Sequence, residues 1–255
     1  MRIRRREFIS LLSITAVGEL APSARLAVAE HGRIKAIAFD AFVIFDPRPI
    51  AECTEELLPG RGKEFTDLWH TRQFEYTWLR TIGKRYKDFW QVTEDALSHA
   101  ASEMKVSLTK AQREHLMGMY KNLPPWPDAP GALAELRRRN VRIAFLSNFS
   151  ADMLHSNLAA AELDQYFEPH MTTDRVRVFK PSPVAYGMGP DHFALKLHEI
   201  AFVAFAPWDA IGAKWFGYST IWVNRLGVQL EHLDIQPDAI ASNLKGVPDF
   251  LDQHS

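Results

Sequence analysis

The sequence predicts an α/β fold: a parallel β-sheet that is buried on both faces and carries a helical insertion. Four short apolar runs rich in β-forming residues alternate with helical patterns, at residues 34–39, 141–146, 200–205 and 220–223. The first two runs are separated by many more residues than a simple crossover needs. These two observations define the predicted sheet and locate the insertion.

The helical patterns divide between the sheet and the insertion. Residues 132–139 and 151–161 have helical patterns, and Ser150 is a residue type that caps helix amino termini. A further helix is predicted to begin after Asp209. The insertion contains three more helical stretches, at residues 64–79, 89–101 and 110–121.

This pattern predicts two structural units. Residues 30–48 and 126–255 are predicted to form a Rossmann-like core with a parallel sheet, and residues 49–125 a helical cap. Because ligands bind beyond the carboxyl ends of the strands in such sheets, a cap inserted after the first strand is expected to close over the binding edge.

The composition excludes several classes of protein. Of the 255 residues, 47% are hydrophobic and 24% are charged, which is ordinary for a soluble globular chain. The formal net charge of −1 provides no basic field for binding nucleic acid. The single cysteine, Cys53, excludes an internal disulfide and a cysteine-rich zinc site. No apolar run reaches the roughly 18 residues of a membrane span, so no stable membrane anchor is expected.

Residues 1–29 are predicted to be a twin-arginine signal peptide. Their charged start contains Arg5 and Arg6, an apolar segment follows, and they end in Ala27-Val28-Ala29. Without them the formal net charge of the chain is −4. We therefore expect a periplasmic protein, and the alternative is a frayed amino-terminal helix on a cytoplasmic one.

Polar residues stand where the predicted strands end. Asp40 ends the first strand, Ser147 and Asn148 end the second, Asp209 follows the third, and Lys180 precedes a helix. Each residue alone is better explained as a cap, a turn residue or a surface charge. Together, at one edge of one sheet, they predict a site. A lysine beside a carboxylate favours its charged form, and such a carboxylate can act as a covalent nucleophile.

Four motifs follow in order along the chain: FDAF at residues 39–42, LSN at 146–148, KP at 180–181 and WDAIGA at 208–213. The insertion adds Trp69 and the stretch QFEYTWLR at residues 73–80. Together these motifs resemble the haloacid dehalogenase superfamily, and the insertion resembles the cap of its type II L-2-haloacid dehalogenases. The resemblance implies a haloacid dehalogenase-like fold and a hydrolase acting on carbon–halide bonds.

The resemblance also implies a role for each polar residue. The aspartate matching Asp40 attacks the carbon that bears the halogen, and water then hydrolyses the resulting aspartyl ester. Lys180 is implied to hold Asp40 ionised, while Asp209 completes the network and places or activates the water. Ser147 is implied to bind the substrate carboxylate, and Asn148 to lie near the leaving halide.

Further substrate contacts are implied at mostly aromatic positions. Tyr186 matches another active-site position of the family. Phe74, Phe89 and Trp208 are implied to form an apolar wall near the substrate, although packing within the cap explains Phe74 at least as well.

The same comparison disfavours a metal cofactor. Phosphatases of the superfamily bind magnesium through carboxylates at the positions that Phe42 and Phe205 occupy here. Magnesium requires oxygen ligands in near-octahedral geometry, which phenylalanine does not supply. We therefore expect neither a metal nor another cofactor.

Several positions depart from the family pattern. Apolar side chains replace polar ones at Ile44, Ala204 and Ala206. The arginine that follows the cap tryptophan in the family is replaced by His70, which carries a charge only when protonated. Arg72, two positions further on, faces another side of a helix. Losing one well-placed donor costs about 10²–10³ in rate, so these changes bear on activity.

Three functions therefore stay open. The adopted interpretation is a 2-haloacid dehalogenase that displaces halide from short 2-haloalkanoic acids through an aspartyl ester on Asp40. The alternatives are a metal-independent hydrolase of the same fold, with another small substrate in a pocket made more apolar by Phe42, Ile44 and Phe205, or a catalytically impaired binding protein. The expected partner is a small haloacid rather than nucleic acid, and dimerisation among family members leaves a homodimer open.

Overall fold

The computed structural model describes residues 33–253, and the predicted signal peptide at residues 1–29 lies outside them. Within residues 33–253 there are six strands: β1 (Ala36–Phe39), β2 (Arg142–Ser147), β3 (Met171–Thr172), β4 (Ile200–Ala204), β5 (Ser219–Val223) and β6 (Ala239–Ala241). They form one parallel sheet in the order β3-β2-β1-β4-β5-β6. The α/β fold class predicted from the sequence is confirmed.

The sheet is buried on both faces because its strands are apolar throughout and successive side chains point to opposite faces. In β1, Ile37 and Phe39 belong to the apolar cluster on one face, and Ala36 and Ala38 to the cluster on the other. All four residues are completely buried. Such continuous burial explains why the strands appear in the sequence as uninterrupted apolar runs.

The insertion between β1 and β2 is helical. After the one-turn helix α1 (Ala41–Ile44), the helices are α2 (Arg48–Leu57), α3 (Gly62–Ile82), α4 (Phe89–Glu103) and α5 (Lys110–Met119). Helices α2–α5 are called the cap below. Helices α3 and α4 pack along each other, and the Trp69 indole Nε1 donates to the Thr93 carbonyl at 2.8 Å. Helix α2 was not predicted because Pro47 at its N-cap and Pro49 in its first turn suit a loop turn as well as the start of a helix.

Two neighbouring segments connect the cap to the core. The Asp46 N–H donates to the Pro124 carbonyl at 2.8 Å, and the Trp126 N–H donates to the Ile44 carbonyl at 2.9 Å. The cap is therefore joined to the core by two paired segments just beyond the carboxyl end of β1.

The remaining helices belong to the core: α6 (Ala129–Arg138), α7 (Ala151–Ala161), α8 (Pro183–Tyr186), α9 (Met188–Phe193), α10 (Pro207–Phe216) and α11 (Gly246–Gln253). Ser150 caps α7 as predicted, since its Oγ accepts from the Met153 N–H at 3.3 Å. The predicted starts of α6 and α10 were wrong by about one turn, because proline is well tolerated in the first turn of a helix. Asp209 consequently lies inside the first turn of α10. Across residues 33–253, no helix combines the length and apolarity needed to cross a membrane.

Candidate active site

Three charged side chains from distant parts of the chain meet at the carboxyl edge of the sheet. Asp40 directly follows β1, Lys180 precedes α8, and Asp209 lies in the first turn of α10. The Lys180 Nζ donates to Asp40 Oδ1 at 2.9 Å and to Asp209 Oδ2 at 2.6 Å. Lys180 and Asp209 are almost completely buried, while Asp40 is 9% exposed. One cation therefore lies between two carboxylates, and the cluster carries a net charge of −1 when all three groups are ionised.

Burial and neighbouring charges shift the pKa of two members of this cluster. Burial by itself lowers the pKa of Lys180, but attraction by the two carboxylates outweighs it and the pKa is raised. Burial raises the pKa of Asp209 to about 6, against the opposing attraction of Lys180. Asp209 therefore titrates close to neutrality, while Lys180 stays charged.

The strand ends place the surrounding polar groups. Asp40 caps α1, and its Oδ2 accepts from the Phe42 N–H at 3.1 Å. Strand β2 pairs with β1, so Ser147 and Asn148 lie beside Asp40 at the same edge. The Asn148 Oδ1 accepts from the Lys180 N–H at 3.0 Å and so fixes the loop that carries the lysine.

A cavity of about 240 Å³ lies between the cap and the core, with Asp40 in its wall. Six aromatic residues dominate its lining: Phe42, Phe74, Phe89, Phe149, Phe205 and Trp208. Asp209, Ser147, Asn148 and Ala206 also line it. The structure thus brings most of the predicted site residues to one cavity. Ile44, predicted to line the pocket, instead ends α1 with its side chain buried in the core.

Tyr186 lies behind Asp209 and does not line the cavity. The ring is completely buried, and its hydroxyl donates to Asp209 Oδ1 at 2.7 Å. Gly212, one turn along α10, makes room for it, since a Cβ there would lie 2.6 Å from the Tyr186 hydroxyl and 2.7 Å from the Pro181 Cβ. Tyr186, which the resemblance implies contacts substrate, therefore lies off the cavity wall and contacts Asp209 instead.

Helix α3 supplies much of the cap side of the cavity. Thr66, Asp67, Gln73 and Phe74 lie three or four positions from His70, and all five residues line the cavity. Sequence reasoning identified His70 and Phe74 but missed the other three. Their helical spacing from His70 was the signal that would have found them.

His70 reaches the cavity without a charge at neutral pH. Burial lowers the pKa of His70 to about 4, although the negative charge of Asp67 acts in the opposite direction. Arg72 lies off the cavity wall, and its Nη1 donates to Glu75 Oε2 at 2.7 Å. Neither His70 nor Arg72 therefore brings a positive charge into the cavity at neutral pH.

The exposed rim of the cavity was also missed from the sequence. Pro47, Arg48 and Ala51 border it at the start of α2, and Leu226 borders it after β5. No pattern distinguished Arg48 from an ordinary surface charge, and α2 itself was not predicted.

The residues present do not fit a magnesium ion. Within residues 33–253, no group of three or more His, Cys, Asp and Glu side chains is placed to hold a metal. The Phe42 and Phe205 rings, 5.8 Å apart between centroids, line the same cavity as Asp40 and offer it apolar surface instead of oxygen ligands.

Comparison with known proteins places the chain in a family. The family model for haloacid dehalogenase-like hydrolases matches residues 6–217. This chain belongs to the haloacid dehalogenase-like hydrolase family. It is 36% identical over 220 residues to the (S)-2-haloacid dehalogenase of Pseudomonas sp. (strain YL), which covers 86% of this chain and 95% of the relative. It is also 36% identical over 207 residues to haloacetate dehalogenase H-2 of Moraxella sp. (strain B), covering 81% of this chain and 92% of the relative.

Solved structures of the haloacid dehalogenase-like family agree with this fold. One crystal structure of an L-2-haloacid dehalogenase aligns with a TM-score of 0.84 and 35% identity, covering 86% of this chain and 99% of the other. The L-2-haloacid dehalogenase from Xanthobacter autotrophicus with chloropropionic acid covalently bound aligns with a TM-score of 0.80 and 32% identity. That alignment covers 87% of this chain and the whole of the other.

Proposed function

We propose that this chain is a hydrolase that displaces halide from short 2-haloalkanoic acids through an ester on Asp40. The observation that carries the proposal is the setting of Asp40, which accepts from Lys180 at 2.9 Å and from the Phe42 N–H at 3.1 Å and borders an apolar cavity. The relatives are named haloacid dehalogenases, and one related structure has chloropropionic acid covalently bound. Both facts support the same chemistry here.

In the first step, an Asp40 carboxylate oxygen attacks C2 of the substrate. A carbon–oxygen bond forms, the carbon–halogen bond breaks, and the halide leaves with the bonding electron pair. The aromatic wall displaces water from the carboxylate, which strengthens the electrostatic interactions around it. Ser147 is proposed to bind the substrate carboxylate, while Asn148 and His70 lie near the leaving halide.

In the second step, water attacks the ester carbonyl carbon of Asp40. The carbonyl carbon–oxygen bond to the substrate then breaks, and the departing 2-hydroxy acid takes the proton that Asp209 removed from the water. The Asp40 carboxyl loses its own proton to solvent, which regenerates the carboxylate. Asp209, with its pKa raised by burial to about 6, is ionised at pH 7–8 and accepts the proton of the water. Lys180 and Tyr186 each donate to one Asp209 oxygen and hold the carboxylate in place.

The test is halide release from both enantiomers of 2-chloropropionate. We expect release with one enantiomer, none with Asp40→Asn, and a covalent adduct on Asp40 in mass spectra of a stalled turnover. Hydrolysis of another small substrate without halide release would favour the metal-independent hydrolase. Binding of the acid without any turnover would favour the impaired binding protein.

A metal requirement provides an independent test. Addition of Mg²⁺ or of EDTA is expected to leave the rate of halide release unchanged, because Phe42 and Phe205 supply no oxygen ligands. A strong dependence on Mg²⁺ would contradict that reasoning.

We also propose the division into a cap at residues 49–125 and a core at residues 30–48 and 126–255, preceded by a signal at residues 1–29.

Replacing Arg5 and Arg6 by Lys should keep the protein in the cytoplasm. Mature protein that still appears in the periplasm would contradict a twin-arginine route, and unprocessed wild-type protein would favour the cytoplasmic alternative. A homodimer is a further proposal, tested by sedimentation equilibrium of the purified chain.

A further inference from the structure

The proposed substrate is an anion, whereas the cavity wall is mainly negative. Asp40, Asp67 and Asp209 line the cavity, and the buried Lys180 behind them offsets one of these charges. His70 is neutral at neutral pH because burial lowers its pKa to about 4. A carboxylate that enters this cavity is repelled unless another cation lies within reach.

Arg48 is the one cationic side chain on the wall of this cavity among residues 33–253. It belongs to the first turn of α2 at the rim, and its side chain is 57% exposed. The side chain therefore remains accessible to a ligand arriving from solvent.

The guanidinium of Arg48 is held in position from two sides. Its Nε lies 3.0 and 2.9 Å from the two Asp46 carboxylate oxygens, and its Nη2 donates to Asp46 Oδ2 at 2.6 Å. The guanidinium carbon lies 4.6 Å from the centroid of the Trp126 ring. Asp46 is itself buried, so the Arg48 guanidinium that pairs with it has little freedom to move. The Nη1 group donates to no described residue and is left for a ligand.

We propose that Arg48 binds one carboxylate oxygen of the 2-haloacid from the rim of the cavity, while Ser147 binds the other from the edge of the sheet. This inference rests on the proposed function. A guanidinium that is already oriented loses little conformational entropy when it binds a carboxylate, and the contact is charge-assisted. Because the substrate carboxylate takes no part in bond exchange at C2, the contact is equally strong in the ground state and the transition state. Arg48 therefore lowers KM and leaves kcat unchanged.

The test compares Arg48→Gln with Arg142→Gln. Arg142 makes a similar pair, with Nε and Nη2 donating to the two Glu168 oxygens at 2.7 and 2.8 Å and its guanidinium 5.1 Å from the Phe193 ring centroid. Its Nη1 also donates to the Phe193 carbonyl at 2.6 Å, so this substitution removes at least as many contacts as Arg48→Gln does. Arg142 lies at the amino end of β2, the sheet edge opposite the cavity. The control thus removes the same kind of ion pair without touching the cavity.

We expect Arg48→Gln to raise KM for 2-chloropropionate about tenfold with kcat unchanged, and to leave uncharged 2-chloropropionamide unaffected. Compared with Arg48→Gln, Arg48→Lys should recover part of the affinity, because lysine keeps the positive charge but lacks the planar pair of N–H donors of the guanidinium. The proposal would be overturned if Arg48→Gln and Arg142→Gln had the same KM for 2-chloropropionate. It would also be overturned if Arg48→Gln raised the KM for 2-chloropropionamide as much as the KM for the acid.

A binding measurement separates this proposal from the proposed function. Calorimetry on Asp40→Asn, which lacks the nucleophile, gives the Kd of 2-chloropropionate without turnover. Adding Arg48→Gln to that variant should weaken binding about tenfold, and adding Arg142→Gln should not. An unchanged Kd would refute the role of Arg48, whereas a wild-type protein that releases no halide would refute the dehalogenase proposal.

Discussion

Replacing Lys180 by Met is expected to destabilise the fold strongly. The Lys180 Nζ lies 2.9 Å from Asp40 and 2.6 Å from Asp209, and the side chain is completely buried. Methionine retains much of the apolar stem but leaves two carboxylates facing each other without a cation. Removing one partner of a buried ion pair costs about 3–5 kcal/mol. For a domain of this size, that loss lowers Tm by roughly 6–20 °C.

The loss of stability should be larger at pH 8 than at pH 5. Burial already raises the pKa of Asp209 to about 6 with Lys180 present, and removing the lysine raises it further. In the unfolded chain an aspartate has a pKa of about 3.9. Between these two pKa values the folded variant binds more protons than the unfolded chain, so its stability is lost as the pH rises through that window.

The assay is urea unfolding followed by tryptophan fluorescence at both pH values, with Lys214→Met as the control. The Lys214 Nζ donates to the two Asp238 oxygens at 2.7 and 2.8 Å, but its side chain is 25% exposed. Such a pair contributes about 0–1 kcal/mol. Equal destabilisation by the two substitutions, or a loss for Lys180→Met that is the same at pH 5 and pH 8, would refute the reasoning.

Two further predictions concern Asp209 and its support. The kcat/KM of halide release should fall as the pH drops through about 6, because protonated Asp209 no longer accepts a proton from water; a profile that stays flat between pH 8 and pH 5 would contradict this role. Gly212→Ala should cost about 1–3 kcal/mol in urea unfolding and reduce halide release, since its Cβ would lie 2.6 Å from the Tyr186 hydroxyl that orients Asp209. Gly131→Ala, where no atom lies within 4 Å of the added Cβ, is the control, and equal effects of the two alanines would count against the steric argument.

The strands and helices with strong local patterns were predictable from the sequence. Strands β1, β2, β4 and β5 were found because burial on both faces produces uninterrupted apolar runs. The short strands β3 and β6 were missed, because two or three residues carry no readable period.

The residues of the candidate site likewise divide into those that the sequence identified and those that it did not. The sequence by itself determined that Asp40, Ser147 and Asn148 end strands, because a strand and its terminus are encoded by neighbouring residues. The resemblance to the family also pointed to His70 and Phe74, which lie on the cavity face of α3.

Only the tertiary structure decided the rest. Lys180 lies 140 positions from Asp40 in the chain, and its 2.9 Å contact depends on the order of the strands and the path of the loop before α8. The place of Tyr186 behind Asp209, the neutral state of His70 and the fixed fork of Arg48 depend likewise on burial and on partners contributed by other segments. Local sequence sets which residues reach the edge of the sheet, whereas packing between distant segments sets their distances, their charges and the direction in which each side chain points.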